Sequence, residues 1–212
     1  SYTVRQQSGG LWSEPTTLYQ VRFDNSAPSN FAVALEVDSG SSGTDGITNQ
    51  NTVNLSGLEV GARLEYRVDG GTWQGFEINS TNATLSLDVG THAYEFRQQD
   101  TAGNTSSIIS RTYTYINADL SAPTLTLAQD SGLLGNDNVT ANGQINVGLS
   151  VAGSGVSWQY AVDGSNVWQN GSGASFTALN GQHSYRVRQI DVAGNISPVS
   201  AVLTVNRDAD AP

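Results

Sequence analysis

Two acidic loops offer the clearest candidate chemistry in this chain. Asp38 and Asp45 lie seven positions apart in a run rich in Gly, Ser and Thr, and Asp130 and Asp137 repeat that spacing further along. Calcium prefers six to eight hard oxygen ligands, which Asp carboxylates and loop carbonyls supply together. Neither loop is an EF-hand, because neither has Glu at the twelfth position. We therefore predict calcium ligands in both loops; the alternative is that these residues only form turns and cap loops.

The other predicted metal ligands recur in two kinds of place. Asp100 and Asp191 each open a run Asp-x-Ala-Gly-Asn, and the remainder lie just before an Ala-Pro pair. The complete set predicted to bind metal is Asp24, Asp38, Asp45, Asp100, Asp119, Asp130, Asp137, Asp191, Asp208 and Asp210.

An internal repeat organises these loops. The run Tyr-x-x-Arg-Gln starts at Tyr2, Tyr94 and Tyr185, so the copies are 92 and 91 residues apart, and Ala-Pro follows each copy. A period of domain size predicts several cores in series rather than one catalytic body. The predicted domains are residues 1–27, the last two strands of a preceding or split module, and two complete modules, 28–122 and 123–212.

The elements that would carry the loops are strands. Short alternating apolar and polar runs are separated by Gly, Asn, Asp and Ser clusters, and no helical period is sustained. Seven strands in about 95 residues is typical of an immunoglobulin-like sandwich. We predict an all-β protein of tandem immunoglobulin-like β-sandwich modules arranged end to end. The predicted strands of the first module are Phe31 to Val37, Thr52 to Ser56, Ala62 to Val68, Thr72 to Glu77, Ala83 to Leu87, Ala93 to Gln99 and Ile108 to Ile116.

Local signals support this topology. The pairs Asp69-Gly70 and Asp163-Gly164 each lie between two predicted strands and favour tight hairpins. Tyr94 and Tyr185 begin the sixth strand, as the tyrosine of a tyrosine corner does, so their hydroxyls should bond upstream backbone. Trp158 lies where such sandwiches have a core tryptophan.

Residues 1–27 match only the last two strands of a module, and two strands alone are marginally stable in water. Three explanations remain open. The sequence begins within a module, or these strands complete a module whose other strands lie on another chain, or a module was split by an inserted domain.

Sandwich topology predicts where the acids meet. The loop after the first strand of one module and the loop between strands six and seven of the next face the same junction. We expect Asp38, Asp45, Asp119 and Asp191 to converge there. Asp24 and Asp100 would face the preceding module, and Asp130, Asp137, Asp208 and Asp210 a following one. Carboxylates gathered in this way repel one another unless a cation neutralises them, so calcium should stiffen the junctions.

Composition excludes several classes of partner. The formal net charge is −10, and all nine basic residues are arginine. This balance disfavours nucleic acid and anionic membrane surfaces, which need clustered positive charge. The chain has no cysteine, and no apolar run is long enough to insert in a membrane. The predicted partners are neighbouring modules of the same chain, within a monomer.

Catalysis is not predicted. The two histidines, His92 and His183, occupy the same repeat position, which favours a structural role, and no nucleophile or phosphate-loop motif is present. Direct ligand binding is the alternative. Trp73 and Trp168 correspond between modules and are expected to pack in the fold, whereas Trp12 has no counterpart and could stack on a sugar or a partner.

These motifs together resemble the bacterial immunoglobulin-like repeats of large calcium-binding adhesins of the RTX type. The resemblance rests on the linkers Asp24 to Pro28 and Asp119 to Pro123, the Asp-Ser-Gly loops and the Asp-x-Ala-Gly-Asn loops. It implies export by type I secretion, a Gram-negative cell surface and a role in adhesion and biofilms. It also implies that calcium rigidifies a string of non-catalytic extender modules that projects a distal ligand-binding domain. Ser8 replaces the loop acid in the first copy, so no calcium ligand is expected there.

Overall fold

In a computed structural model the chain is an all-β protein, and the structure describes residues 2–17, 20 and 22–210. Within these residues there is no helix, and hence none long and apolar enough to cross a membrane. Ser1, which begins the predicted segment 1–27, and Pro212, which ends the predicted module 123–212, lie outside the described residues. The strands are β1 (Gln7–Ser8), β2 (Leu11–Trp12), β3 (Ala32–Leu35), β4 (Ile47–Thr48), β5 (Thr52–Ser56), β6 (Arg63–Val68), β7 (Gln74–Glu77), β8 (Asn82–Ser86), β9 (Gly90–Gln99), β10 (Ile109–Tyr115), β11 (Thr124–Leu127), β12 (Val139–Thr140), β13 (Gln144–Gly148), β14 (Ser157–Val162), β15 (Gln169–Asn170), β16 (Ser175–Thr177), β17 (Gly181–Ile190) and β18 (Leu203–Arg207).

Two matching strand series follow a short hairpin. The first series, β3 to β10, forms sheets of order β4-β10-β9-β6-β7 and β3-β5-β8, and the second, β11 to β18, forms sheets of order β12-β18-β17-β14-β15 and β11-β13-β16. Each strand thus has a counterpart in the other series, and the predicted all-β sandwich class is confirmed. The hairpin of β1 and β2 pairs Gln7 with Trp12 and Ser8 with Leu11.

The chain forms two compact units that do not coincide with the series. One unit comprises Ser1–Ala32, Leu55–Ala83 and Glu95–Ser110, and the other comprises Val33–Asn54, Thr84–Tyr94 and Arg111–Pro212. The second series lies wholly within the second unit. The predicted boundaries at residues 28 and 123 stay a prediction.

The core of the second series shows why its sequence folds as a sandwich. Ile145 of the three-stranded sheet packs with Tyr185 and Val205 of the five-stranded sheet, and all three side chains are buried. Trp158 packs in a neighbouring cluster with Val187, and its indole Nε1 donates to the carbonyl of residue 173 at 2.8 Å. The predicted core tryptophan is therefore confirmed. Alternate residues from both sheets supply this apolar interior.

Turns and tyrosine corners form where they are predicted, but the hairpins are wider than the predicted tight ones, because pairing ends at Tyr66 with Gln74 and at Tyr160 with Gln169. Asp69 and Asp163 have φ of 50° and 51°, and the glycine after each also has positive φ, which is the backbone of a type I′ turn. The hydroxyl of Tyr94 accepts from the backbone N–H of residue 88 at 3.0 Å, and that of Tyr185 accepts from residue 179 at 2.7 Å. Both tyrosine corners are present.

The structure contains two short strands that the sequence pattern does not predict. β4 pairs in parallel with β10, and β12 with β18, each over two residues. In each strand the threonine is buried and its hydroxyl donates to a backbone carbonyl eleven residues earlier, at 2.7 Å for Thr48 and 2.8 Å for Thr140. Two residues show no periodicity, so the sequence pattern places these segments in the acidic loops.

Candidate functional site

The loop of residues 191–195, between β17 and β18, is built around one carboxylate. Asp191 Oδ1 accepts from the backbone N–H groups of Ala193 and Asn195, both at 2.9 Å. Its Oδ2 accepts from the side-chain Nδ2 of Asn195 at 2.8 Å. Short Asp side chains make such turns readily. The result is a rigid loop in which Asp191 holds the Asn195 amide in one orientation.

That loop contacts the last strand and the first acidic loop of the first series. Asn195 Nδ2 also donates to the carbonyl oxygen of Ile116, directly after β10, at 2.9 Å. The hydroxyl of Ser39 donates to the carbonyl oxygen of Ala193 at 2.6 Å, and Ala193 is fully buried. All these residues belong to the second compact unit. We call this set of contacts the clasp, defined by Ser39, Gly40, Ile116 and residues 191–195.

Gly40 allows the clasp to close. Its φ is +89°, and a Cβ atom built there would collide with the carbonyl oxygen of Val192. Both the backbone conformation and the close approach favour glycine. Gly194 lies on the other side of the same contact, where an added Cβ would be 3.1 Å from the backbone nitrogen of Gly40. The two loops therefore meet backbone against backbone.

The same loop design occurs once more, in the first compact unit. Asp100 Oδ1 accepts from the N–H groups of Ala102 and Asn104 at 2.9 and 2.8 Å, and Asn104 Nδ2 donates to Asp100 Oδ2 at 2.8 Å. Asn104 Nδ2 also lies 3.2 Å from the carbonyl oxygen of Asp24. The hydrogen bond from the Asn104 side chain is the main cause that lowers the pKa of Asp100 below its ordinary value. In both loops the asparagine side chain contacts a backbone carbonyl of the segment that precedes its own strand series.

The two acidic loops bind their own backbone. Asp38 Oδ2 accepts from the N–H of Gly46 at 3.1 Å, and Asp45 Oδ1 accepts from residue 47 at 3.1 Å. Asp130 and Asp137 make the equivalent bonds at 2.9 and 3.1 Å. The turn-forming role considered from the sequence is thus present in both loops.

One oxygen in each loop has no such partner. Asp38 Oδ1 and Asp130 Oδ1 are buried and accept no hydrogen bond. A buried carboxylate oxygen without a donor is costly unless a cation or a proton compensates it. Asp38 and Asp45 also line one shallow cleft of about 380 Å³. At these two positions the donor chemistry fits calcium, which favours carboxylate and carbonyl oxygens.

The remaining predicted calcium ligands do not form a metal-binding cluster with Asp38, Asp45, Asp130 or Asp137. Among residues 2–17, 20 and 22–210, no three His, Asp or Glu side chains form a group able to hold a metal ion. Asp119 is exposed, and Asp24 and Asp208 each accept from a backbone N–H two residues on. Asp210 is exposed as well. The predicted junction thus brings the loops of Asp38 and Asp191 together, but it does not form a three-acid cluster.

Sequence reasoning from acids missed the neutral residues that make the contacts. Ser39, Asn104 and Asn195 donate the bonds described above, and each recurs or has a counterpart in the repeat. The final Gln of the repeated Tyr-x-x-Arg-Gln is a further case. Gln189 is fully buried, its Oε1 accepts from the N–H of Ser150 at 2.8 Å, and its Nε2 donates to the carbonyl of residue 151 at 2.7 Å. The sequence signal that could have identified these asparagine and glutamine residues is that each recurs at the same position of the repeat.

Tryptophan and arginine stack on the five-stranded sheets. The guanidinium groups of Arg67 and Arg97 lie 4.7 and 4.2 Å from the ring centre of Trp73. Arg188 lies 4.3 Å from the ring centre of Trp168. Such stacking holds the indole on the hairpin. Hairpin packing, as expected for these two tryptophans, is therefore their role in the fold.

The histidines also have structural partners. His183 Nδ1 lies 2.7 Å from Asp163 Oδ2, and its Nε2 lies 3.1 Å from the carbonyl oxygen of Asn180. The hydrogen bond that the His183 ring donates to the Asp163 carboxylate raises the pKa of His183, and the hydrogen bond that the N–H of Ser184 donates is the main cause that lowers the pKa of Asp163. His92 Nε2 lies 3.1 Å from the carbonyl oxygen of residue 89. Trp12, the predicted ligand-binding residue, is 60% exposed on β2.

Comparison with known proteins yields similarity of fold at low identity. No protein-family model matches the chain, and no curated protein matches its sequence. The fibronectin(III)-like modules of CbhA from Clostridium thermocellum are 13% identical, with a TM-score of 0.45, over 85% of this chain and 95% of that one. The FN1-FN3 domains of chicken CNTN1 are 13% identical, with a TM-score of 0.43, over 96% and 76%. The BSP domain of a biofilm associated protein is 22% identical, with a TM-score of 0.29, over 78% and 29%. At these values the similarity assigns no function.

Proposed function

We propose that this chain is a non-catalytic structural extender segment of a bacterial cell-surface adhesin. In this role its sandwich modules, joined end to end, hold a distal ligand-binding domain away from the cell. The clasp is the observation that supports the proposal, because it joins a loop of the first series to a loop of the second through backbone acceptors. A segment that only spaces other domains needs stiff joints and no reactive site.

Calcium is the second part of the proposal. Asp38 and Asp130 would hold the ion through their unpartnered Oδ1 atoms, with Asp45 and Asp137 nearby in the same loops. The ion would neutralise buried carboxylate charge and stiffen each loop. The clasp bonds themselves contain no carboxylate-to-cation contact, so calcium would add to the stiffness of the joint.

Small-angle scattering tests the extender role. The chain with calcium should scatter as an extended particle, and the double variant Ser39→Ala with Asn195→Ala should show a broader distribution of lengths. Ser131→Ala is the matched control, since Ser131 lies in the equivalent loop of the second series. Identical length distributions for the double variant and the unaltered chain would contradict a role for the clasp in stiffness.

Calcium binding has its own test by titration calorimetry. The unaltered chain should bind the ion, and Asp38→Asn combined with Asp130→Asn should abolish binding while circular dichroism of the sheets is retained. Binding unchanged in this double variant would remove Asp38 and Asp130 as ligands. No binding by the unaltered chain at millimolar calcium would remove the ion from the proposal.

A second candidate function is direct recognition of a glycan or protein ligand by the amino-terminal segment. The exposure of Trp12 and of its neighbour Leu11 favours it. A glycan and peptide array should then show binding that Trp12→Ala removes. Trp168→Ala is the control, because that indole already stacks on arginine. An array with no binding partner for the chain would leave the spacer role alone.

A further inference from the structure

The two five-stranded sheets carry matching arginines on the face that points away from the core. Arg97 and Arg188 each follow the corner tyrosine of their strand by three positions, and the residues on either side of each arginine are fully buried. Because side chains alternate between the two faces of a strand, both arginines lie on the outer face. Each stacks on the tryptophan of its own hairpin. The charges of these two equivalent faces can therefore be compared position by position.

Glutamates compensate the arginines of the first face. Arg67 Nε lies 2.6 Å from Glu95 Oε2, and Arg97 Nε lies 2.7 Å from Glu65 Oε2. Arg63 Nε lies 3.8 Å from the other oxygen of Glu65. Each of these three guanidinium groups thus lies beside a carboxylate.

Both glutamates are replaced on the second face. Gln159 directly precedes the tyrosine whose hydroxyl bonds the next strand, which is the position of Glu65 in the first series. Arg186 directly follows the corner tyrosine, where the first series has Glu95. Neither Arg186 nor Arg188 pairs with a carboxylate in the part of the chain that the structure describes. The two arginines lie two positions apart on one strand, roughly 6.6 Å, so like charges are held close together without a counterion.

Neutral acceptors hold the two guanidinium groups in place. Arg188 Nε and Nη2 donate to Gln159 Oε1 at 2.9 and 2.6 Å. Arg186 Nη2 donates to two carbonyls of the hairpin that follows β14, at 3.2 and 2.8 Å. Asp163, the acid of that hairpin, has one oxygen bonded to a backbone N–H and the other to the ring of His183. The positive charge of the pair is therefore ordered but not neutralised, which favours binding of an anion.

A cleft adjoins the arginine pair within the second compact unit. Its volume is about 540 Å³, and Ser157 and Ile190 line it. Ser157 lies two positions before Gln159 and Ile190 two positions after Arg188, on the same strand faces and roughly 6.6 Å away. Asn170 also lines the cleft, and its Oδ1 accepts from Gln159 Nε2 at 2.9 Å. The cleft and the arginine pair thus form one continuous surface.

The lining of the cleft suits a sugar better than a peptide. Ser41, Ser157 and Asn170 are exposed and offer hydroxyl and amide groups, which can donate to sugar hydroxyls or accept from them. A peptide that adds a strand needs a long free sheet edge, whereas the edge strand β15 has two residues. Asp191 is the one acid among the described lining residues, and both of its oxygens are bonded within its own loop. The surface therefore accommodates an acidic group at the arginines and a neutral ring in the cleft.

We propose that Arg186 and Arg188 bind the carboxylate of an acidic saccharide whose ring lies in the adjoining cleft. Guanidinium groups form short, charge-assisted hydrogen bonds with carboxylates, and Ser41, Ser157 and Asn170 bond the ring hydroxyls. The first face does not bind this ligand, because its arginines already have carboxylate partners. The site is distinct from the exposed Trp12, and it does not depend on the extender role.

Titration followed by nuclear magnetic resonance tests the site, with trigalacturonate as the probe and its fully methyl-esterified form as the neutral control. Trigalacturonate should shift the amide signals of residues 157–159 and 186–190. It should bind at least about 10-fold more tightly than the ester, since one charge-assisted hydrogen bond contributes about that factor. Equal affinity for the two, or no shift at about 10 mM trigalacturonate, would overturn the proposal.

Two single charge changes distinguish this site from the overall charge of the chain. Gln159→Glu gives Arg188 the partner that Glu65 gives Arg97, and it should weaken binding at least about 10-fold. Gln144→Glu adds the same charge at an exposed position of the other sheet and should change the affinity by less than about twofold. Because the first series folds with glutamate at the matching position, Gln159→Glu should keep the circular dichroism spectrum of the unaltered chain. Equal binding by Gln159→Glu and the unaltered chain would contradict the proposal.

Two further results would identify another ligand or another site. Poly-L-glutamate that shifts the same signals at a lower concentration than trigalacturonate would make an acidic peptide the ligand, contrary to the proposal. Trigalacturonate binding that Trp12→Ala removes and Gln159→Glu retains would place recognition in the amino-terminal segment, and would overturn the site at Arg186 and Arg188.

Discussion

The two acidic loops, residues 38–49 and 130–141, share most of their internal hydrogen bonds and differ at the serine and glycine that follow the first Asp. Each has an Asp that accepts from an N–H eight residues on, and a serine whose Oγ accepts from the residue ten positions on, at 2.9 Å in both. Ser39 Oγ then donates to the carbonyl of Ala193, whereas Ser131 Oγ lies 3.2 Å from the hydroxyl of Thr140. The internal bonds thus shape the loop, and the neighbour changes the partner of one hydroxyl.

This comparison separates two roles within one short segment. The aspartates accept hydrogen bonds from their own loops, whereas Ser39 and Gly40, at the tip of the first loop, contact residues 191–195. A loop that is already ordered loses little conformational freedom when it engages a neighbour, which favours binding. Substitutions at Ser39 and Gly40 should therefore cost more than the same changes in the second loop, whereas substitutions at the acids should affect both loops alike.

The largest effect is expected for Gly40→Ala. A methyl group there meets the backbone of Val192 and is strained at positive φ, so the clasp should weaken by about 2–4 kcal/mol. Hydrogen exchange of the Ala193 and Asn195 amides measures the change. Gly43→Ala is the control, since its added Cβ has only one neighbour, at 3.9 Å. Equal exchange rates in the two variants would show that close approach at Gly40 is unimportant.

Asn195→Ala should have the next largest effect. It removes the donor to Ile116 and the bond to Asp191 Oδ2, at a cost of about 1–3 kcal/mol. Asn104→Ala makes the matching change in the first compact unit, where the bond to the carbonyl of Asp24 is longer and exposed. Chemical denaturation of both variants compares the costs. A larger loss for Asn104→Ala would reverse the expected order.

Ser39→Ala and Ser131→Ala form the most direct pair. Both variants lose the bond inside the loop, and each loses one further contact, Ser39→Ala the bond to Ala193 at 2.6 Å and Ser131→Ala the contact with the Thr140 hydroxyl at 3.2 Å. Because the bond to Ala193 is shorter, Ser39→Ala should cost more, by less than about 1.5 kcal/mol, the upper end of the usual contribution of one hydrogen bond. Denaturation midpoints under identical conditions provide the measurement. No difference would mean that the bond from Ser39 to Ala193 contributes no more than the contact of Ser131 with Thr140.

The smallest effect is expected from pH, and it should spare the clasp. The raised pKa of His183 means that its contribution to stability is complete below the unfolded value near 6.5 and is lost as pH rises through the folded value. The lowered pKa of Asp163 means that its contribution is present above the unfolded value near 3.8 and is lost as pH falls through the folded one.

Nuclear magnetic resonance titration of the His183 ring measures this directly. Asp163→Asn should move the pKa of His183 down toward 6.5, and the protection factors of the amides of residues 191–195, corrected for the intrinsic pH dependence of exchange, should stay constant between pH 5 and 8. A pKa of His183 that is unaffected by Asp163→Asn would show that the pair does not form in solution.

Much of the fold followed from the sequence because strands, tight turns and tyrosine corners have strong local signals. Alternation predicted the strands, and Asp-Gly pairs predicted the turns at residues 69 and 163. The short strands β4 and β12 were not predictable, because two residues carry no period and their stability comes from pairing with β10 and β18. Local pattern therefore sufficed wherever the element itself was long enough to show one.

Only part of the candidate site could be predicted from the sequence. Topology predicted that the loops of Asp38 and Asp191 would lie together, but charge directed attention to carboxylates, and the contacts come from Ser39 and Asn195. Gln189 was missed for a related reason. Gln189 lies on the core-facing side of its strand, as Tyr185 and Val187 do, whereas the polarity of its side chain suggests exposure to solvent. Repetition of a polar residue is a better guide to such roles than its charge.

The acceptors in the clasp have a consequence for how such a protein can change over time. Asn195 and Ser39 both donate to main-chain carbonyls, at Ile116 and Ala193, and every amino acid carries that group. Replacement of either acceptor residue by another side chain keeps the acceptor atom. Neighbouring modules can therefore diverge, duplicate or be exchanged by recombination without a matched change in their partner, provided that Ser39, Gly40 and Asn195 are retained together with the small residues Ala193 and Gly194.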